Sequence, residues 1–263
     1  MNPEALLDAI ITLAKEAGDA ILPWYGSEAL ETHTKADDSP VTNADLAANE
    51  VLMAGLRRLT PQIPILSEEA CDVPFEVRRR WASYWLLDPL DGTREFVNGS
   101  PDFAVNIALV VDNEPVLGVI HAPVRERTYW AVKGQGAYRD GQAIQCRPCG
   151  QPPVIAVSRA QLLDPHKARL RADLEFATLP YGSASLKSCL VAEGRADAYI
   201  RIGPTGEWDT AASWAIVREA GGVLVDLDLK PLTFNRSEDL GNPNYAVLGG
   251  TGPIWKGLFA DQA

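Results

Sequence analysis

A chain of 263 residues, 46% hydrophobic and 22% charged, can bury a substantial core and has the balance of a soluble globular protein. Its formal net charge of −11 argues against nonspecific nucleic-acid binding, which needs basic surface, although bound cations can invert a local potential. No apolar run approaches the ~20 residues of a membrane span, and the Met-Asn-Pro-Glu start lacks leader signals, so a cytoplasmic location is expected.

Asn2-Pro3-Glu4 predicts a helix start, followed by Leu6, Ile10, Leu13, Ala17 and Ile21 at helical spacing up to Pro23. Residues 31–41 are polar, contain Asp37-Asp38-Ser39-Pro40, and read as a loop. A second amphipathic helix is predicted over 43–59, with Leu46, Leu52, Leu56 and Leu59 as its apolar stripe. Ile63-Pro64-Ile65-Leu66 reads as a strand ending in Ser67-Glu68-Glu69. Residues 70–82 continue as a solvated helix or loop, with Arg78-Arg79-Arg80 as surface charge.

Tyr84-Trp85-Leu86-Leu87 then reads as a buried strand that delivers Asp88-Pro89-Leu90-Asp91-Gly92-Thr93. Two carboxylates arrive three residues apart, and Pro and Gly force a turn between the strand and the next element. Asp-Pro and Asp-Gly are also ordinary turn chemistry. The paired acids at 68–69, and Asp209 at the head of a later helix, favour a metal site instead. Hard oxygen ligands from several strand and helix ends, without a histidine cluster, suit magnesium rather than zinc; such a site most often handles phosphate.

Segments 103–111 and 116–120 form a predicted hairpin about Asp112-Asn113-Glu114, and 128–132 with the Asp140-Gly141 turn continues the pattern. Gly134-Gln135-Gly136 lacks the third glycine of a dinucleotide loop and reads as a turn. Cys146-Arg147-Pro148-Cys149 raises zinc or redox chemistry, but Cys71 and Cys189 are isolated, and Gly150-Gln151-Pro152-Pro153 stands where a redox motif would open a helix. The stretch 146–153 divides an N-terminal α+β half (1–150), carrying most of the acids, from a C-terminal α/β half (151–263). Strands are predicted at 154–158, 198–200, 223–225 and 245–248, and helices at 162–170, 185–194 and 209–220, the last stopped by Gly221-Gly222. Hairpins interrupt the alternation, so the class is α/β with α+β-type layering: mixed sheets stacked with helices. His33, His121 and His166 stand in no ligand spacing.

Ser67-Glu68-Glu69, Asp88-Pro89-Leu90-Asp91-Gly92-Thr93 and Glu207-Trp208-Asp209-Thr210-Ala211-Ala212 resemble the signatures of the inositol monophosphatase superfamily. These are magnesium-dependent, lithium-sensitive phosphomonoesterases with an αβαβα sandwich, the sugar-phosphatase fold. Lys35-Ala36-Asp37-Asp38-Ser39-Pro40-Val41-Thr42-Asn43-Ala44-Asp45 resembles the loop of its 3'(2'),5'-bisphosphate nucleotidase (CysQ-type) group. Gly182-Ser183-Ala184-Ser185-Leu186-Lys187 and Ala198-Tyr199-Ile200-Arg201 are also similar to the nucleotidase pattern, in which a Lys and an Arg serve the second phosphate and the nucleoside.

The resemblance implies a complete site. Glu68, Asp88 and the backbone carbonyl of Leu90 would hold one Mg2+, and Asp88 would bridge to a second completed by Asp91 and Asp209. Glu68 would reach a third ion through waters. The nucleophile would be a metal-bound water activated by Thr93, relayed to Asp45, because a threonine hydroxyl is a poor base without a carboxylate beside it. The substrate would meet Glu68, Leu90, Asp91, Gly92, Thr93 and Asp209 at the scissile phosphate, and Ser185, Lys187 and Arg201 beyond it. Read without the resemblance, Thr93 is a helix N-cap and Asp45 a first-turn acid. Trp208 is expected to pack and hold the ligand loop. The implied reaction is hydrolysis of the 3'-phosphate of 3'-phosphoadenosine 5'-phosphate to AMP; the alternative is an inositol or other sugar-alcohol monophosphatase. Monomer or homodimer, and peripheral association with the inner membrane, stay open.

Overall fold

The structure, a computed structural model, describes residues 2–34, 40–159, 170–171 and 173–250. A single 3-10 turn, capped by Asn2 accepting from the Glu4 amide, leads into α1 (Leu7–Ile21). The stretch expected as a loop instead contributes two short antiparallel strands, β1 (Thr32–Thr34) and β2 (Pro40–Thr42). Thr32, Thr34, Val41 and Thr42 are β-branched and favour extended backbone, a preference that outweighs their polarity. Residues 35–39, the first five of the eleven singled out for their resemblance, lie outside the described residues.

The second helix, α2 (Asn43–Leu59), matches its predicted bounds, but its buried face does not match the leucine stripe. Leu52 and Leu56 are buried with Ala44 and Ala48, whereas Leu46 is 48% exposed. Small residues on the inner face let α2 approach α1 closely: a Cβ at Gly55 would sit 2.3 Å from a Leu13 methyl. Close approach, not leucine content, selects the face.

Strand β3 (Ile65–Ser67) runs parallel to β4 (Ser83–Asp91), with one helical turn, α3 (Phe75–Arg78), between them. Arg78, expected as surface charge, is 1% exposed. Its guanidinium donates to Asn235 Oδ1 and to the carbonyls of Val73 and Glu238, and lies over the Phe75 ring. Those acceptors come mostly from a loop some 157 residues later, so local charge counting could not find them.

After α4 (Thr93–Val97), the strands β5 (Ala104–Val111), β6 (Glu114–Ala122), β7 (Arg127–Val132), β8 (Ala137–Arg139) and β9 (Gln142–Ile144) complete a seven-stranded sheet in chain order. All pairs after β3–β4 are antiparallel. Asp112 and Asn113 close the β5–β6 hairpin at φ 49° and 64°, the backbone that two-residue hairpin turns require.

The second sheet is built from β10 (Val154–Ser158), β11 (Ala177–Tyr181), β12 (Ala198–Arg201), β13 (Val223–Asp226) and β14 (Tyr245–Leu248), ordered β11-β10-β12-β14-β13. Helices α5 (Ala184–Ala192) and α6 (Trp208–Glu219) interleave with them. Strand β11 has no counterpart among the predicted elements, and the helix predicted over 162–170 falls outside the described residues apart from buried Leu170.

Strand alternation builds the layers. Val105, Ile107 and Leu109 of β5 pack with α1 and α2, whereas Ala104, Ala108 and Val110 face α5 and α6. Helix α6 lies so close to β6 that a Cβ at Gly118 would be 2.3 Å from the Ala212 carbonyl oxygen. Tyr199, Leu224 and Val247 cover the other side of α5 and α6, and Ile155, Ile200 and Ala246 are buried in a separate cluster on the opposite face of this sheet. The described layers therefore run α–β–α–β, with mixed sheets. No helix among the described residues is long and apolar enough to cross a membrane.

Candidate active site

The site is built where β4 leaves its sheet. Register with β5 shifts between Asp88 and Asp91, so Pro89, which has no N–H to offer, and Leu90 drop out of the ladder. The first turn of α6 brings Asp209 to the same place. One carboxylate oxygen from each of Asp88, Asp91 and Asp209 lies within 4.8 Å of the others. Glu68 stands beside them, because its amide donates to the Leu87 carbonyl at 3.0 Å and keeps the end of β3 against β4.

These acids repel. Burial pushes the Asp88 carboxyl well above the usual carboxylate range, and Glu68, Asp91, Asp209 and Asp45 push it further. Asp209 is raised in the same way, by burial and then by Asp91 and Glu68. Asp88 Oδ1 accepts from the Leu90 amide at 3.0 Å, but buried Asp88 Oδ2 has no hydrogen-bond partner among the described residues. An orphaned carboxylate oxygen in an all-oxygen cluster fits a hard divalent cation, which would supply the missing partner and cancel the repulsion.

Asp91 is the exception within the cluster. Ser183 Oγ, Ser185 Oγ and the amides of Ala184 and Ser185 all donate to it, the last at 2.7 Å. Ser185, expected to touch substrate, is fully buried with its amide and hydroxyl on Asp91. Ser183 stands in the same run, but sequence reading gives it no role; nothing in Gly182-Ser183-Ala184-Ser185 distinguishes the two serines until Asp91 is beside both.

Asp45 is buried at the first turn of α2. Its Oδ2 accepts from the Thr42 amide at 2.8 Å and the Thr42 hydroxyl at 2.6 Å, a capping box, while its Oδ1 accepts from Thr93 Oγ1 at 3.3 Å. The capping reading and the relay reading thus share one carboxylate. Burial raises its pKa to about 6, opposed by Thr42. Thr93 Oγ1 is also 3.2 Å from the Leu90 carbonyl, and Gly92 enters α4 in the left-handed region, at φ 98°.

Lys187 is buried on α5, donating to the Ser183 carbonyl at 2.6 Å, with its amine 5.0 Å from the Tyr199 ring centre. Burial lowers its pKa to about 8, helped by Arg201 and opposed by Asp91. Arg201, at the end of β12, donates to the Pro204 carbonyl at 2.9 Å, while its buried Nε has no partner among the described residues. Two cations therefore stand together at the edge of the acid cluster.

The loop before α6 is held by groups to which sequence reading gave no such role. Glu207 accepts from the Asn235 amide at 2.8 Å, Asn235 Oδ1 binds Arg78, and the Asn242 side chain donates to the Gly206 carbonyl. Trp208 packs over Gly206, where a Cβ would meet its ring at 2.2 Å, as expected of a residue that shapes the loop. His121 is buried with Nδ1 2.9 Å from Thr128 Oγ1, His33 is exposed, and His166 lies outside the described residues. Burial pushes the Cys146 thiol up to about 11 and also raises Cys149, so neither is an activated nucleophile.

Residues 2–251 match the profile of the Inositol monophosphatase family. The chain belongs to that family. A 3'(2'),5'-bisphosphate nucleotidase CysQ of Aggregatibacter actinomycetemcomitans is 44% identical over 261 residues, covering 97% of this chain and 96% of the relative. The corresponding CysQ of Escherichia coli strain K12 is 46% identical over 248 residues, 92% of this chain and 99% of its own. Among solved structures, CysQ from Bacteroides thetaiotaomicron, a bacterial member of the inositol monophosphatase family, superposes with a TM-score of 0.80 at 37% identity, covering 95% of this chain and 98% of the other. Family membership carries the fold with it, so the mixed sheets and interleaved helices are those of an inositol monophosphatase-like protein.

Proposed function

We propose that this chain is a 3'(2'),5'-bisphosphate nucleotidase: a phosphomonoesterase that hydrolyses the 3'-phosphate of 3'-phosphoadenosine 5'-phosphate, giving AMP and inorganic phosphate. The observation that carries this reading is the juxtaposition of the acid cluster with buried Lys187 and Arg201. A monophosphate would bring no second phosphate to those two cations; a bisphosphate would occupy both ends. The names of the relatives support the same choice.

Glu68, Asp88 and the Leu90 carbonyl would hold one Mg2+, and Asp88, Asp91 and Asp209 a second, with a third reached from Glu68. Bound there, divalent cations neutralise the phosphate dianion and make water a better nucleophile. Thr93 Oγ1 takes the proton of the attacking water as its own passes to Asp45 Oδ1, and burial of Asp45 suits it to accept a proton near neutral pH. The amides of Gly92 and Thr93 orient the phosphate oxygens. Lys187 and Arg201 bind the 5'-phosphate and align the ester for in-line attack. Lithium inhibition and a cytoplasmic location belong to the same proposal.

The test is steady-state kinetics of Arg201→Ala and Lys187→Ala on 3'-phosphoadenosine 5'-phosphate and on inositol 1-phosphate. Each charge-assisted contact is worth about 1.5–3 kcal/mol, so kcat/KM for the bisphosphate should fall roughly 10- to 150-fold while the monophosphate barely changes. Arg201→Ala is the cleaner arm, because Lys187 also touches Ser183. Equal losses on both substrates would overturn the assignment in favour of a general monophosphatase.

A further inference from the structure

Asp102, between α4 and β5, is 0% exposed and touches none of the clustered acids. Its Oδ1 accepts from Arg125 Nε at 2.8 Å; its Oδ2 accepts from Arg159 Nε at 2.8 Å and from the Gly182 amide at 3.1 Å. The Tyr181 ring lies against both guanidinium groups, 5.0 Å from Arg125 and 5.8 Å from Arg159. Arg125 comes after β6 in the seven-stranded sheet and Arg159 after β10 in the five-stranded one. The carboxylate therefore ties the two sheets at the turn that opens α5.

That turn is strained. Ser183 sits at φ 58°, ψ 139°, a backbone that L-residues rarely adopt and that persists only where the surroundings over-determine it. Gly182 is pressed onto the clamp, since a Cβ there would lie 2.5 Å from Asp102 Cβ. In this conformation Ser183 does two things at once. Its hydroxyl donates to Asp91, and its carbonyl accepts from Lys187 Nζ at 2.6 Å.

We propose that Asp102 is a positioning residue: by holding the turn at 182–183, it sets the metal-cluster acid Asp91 and the substrate lysine Lys187 together. Its second consequence, for the bisphosphate, rests on the nucleotidase reading above. Removing the clamp lets Ser183 relax to an ordinary backbone, and both partners lose alignment in one step. A carboxylate that merely stabilised the fold would change thermal stability alone.

The molecule contains its own control. Asp197 is also 0% exposed and accepts from Arg147 Nε and NH2 at 2.8 Å each, and from the Val154 and Gly150 amides. None of its partners carries a site residue. Mg2+ binding by calorimetry, without substrate, is compared in wild type, Asp102→Asn and Asp197→Asn, together with KM for 3'-phosphoadenosine 5'-phosphate. Loss of a group that orients a ligand from behind typically costs 10- to 100-fold in metal affinity, so Asp102→Asn should bind Mg2+ about 10-fold more weakly and raise KM. Asp197→Asn should keep both within about twofold while lowering the melting temperature. Arg159→Gln, at a half-exposed partner, should move in the same direction as Asp102→Asn to a smaller extent, and it decides the matter if Asp102→Asn does not fold. The Mg2+ arm does not depend on which phosphate ester is the substrate, so it judges Asp102 even where the nucleotidase reading fails. Unchanged Mg2+ affinity in the Asp102 and Arg159 variants, or an equal loss in Asp197→Asn, would overturn the proposal.

Discussion

Asp88 and Asp102 are both almost wholly buried, yet their surroundings are opposite. Asp102 has a guanidinium on each oxygen, and those hydrogen bonds outweigh burial and hold its carboxyl below the usual range. Among the described residues Asp88 has one amide donor, an unpartnered oxygen and four acids around it, and is held well above the usual range. Burial is common to both; the partner is what differs. One buried carboxylate is satisfied completely by the protein, whereas the other would need a partner from solution, as a ligand of the proposed cation would.

The largest expected effect breaks the unsatisfied side. Asp88→Asn should cut kcat by about 10^3-fold or more, since metal assistance is worth several kcal/mol and each 1.36 kcal/mol is tenfold. Its melting temperature in EDTA should hold or rise, because a repelling charge is gone. On the satisfied side, Asp197→Asn should leave kcat intact and cost about 2 kcal/mol, less than a fully buried pair because Arg147 is partly exposed. A metal-free Asp88→Asn protein melting clearly below wild type would undo the contrast.

A smaller effect sharpens it by pH. Asp45 has a folded pKa of about 6, above its ordinary 3.8, so its contribution to stability is full below about pH 4 and lost as pH rises past 6. Asp88 and Asp209 act in the same direction. Asp102 and Asp197 are lowered, so they contribute above the ordinary carboxylate value and lose that contribution only as pH falls through their depressed ones. Thermal melts with Mg2+ or EDTA should therefore show a larger Mg2+-induced rise at pH 7.5 than at pH 5, where protons compete for the ligands. Equal increments at the two pH values would mean that the raised acids are not the ligands.

The smallest effect probes Asp91, the acid of the cluster that accepts from Ser183, Ala184 and Ser185. Ser185→Ala removes one of its four hydrogen bonds, each worth about 1 kcal/mol net, so Mg2+ binding should weaken roughly fivefold. KM for the bisphosphate, measured at saturating Mg2+, should stay within about twofold. A rise in KM with unchanged Mg2+ binding would restore Ser185 to the substrate contact that the sequence suggests.

Local chemistry determined the elements and the acids. Helix α2 begins and ends where its capping and periodicity say, and the run from Tyr84 to Thr93 announces a buried strand breaking into an acidic turn, because strand burial and Pro-Gly turns are encoded within a few residues. The grouping of Asp88, Asp91 and Asp209 was legible from acids at strand and helix ends and was sharpened by family motifs, whereas their mutual repulsion was legible only through their proximity. Tertiary structure decided everything that depends on a distant partner. Arg78 reads as surface charge until Asn235 and Glu238 close over it, and Leu46 reads as core until the alanines of α2 turn inward. Ser183 and Asp102 carry no local signature at all. Hydrogen bonds from residues 23 to 92 positions away give them their work, and no short window along the chain contains both ends of such a bond.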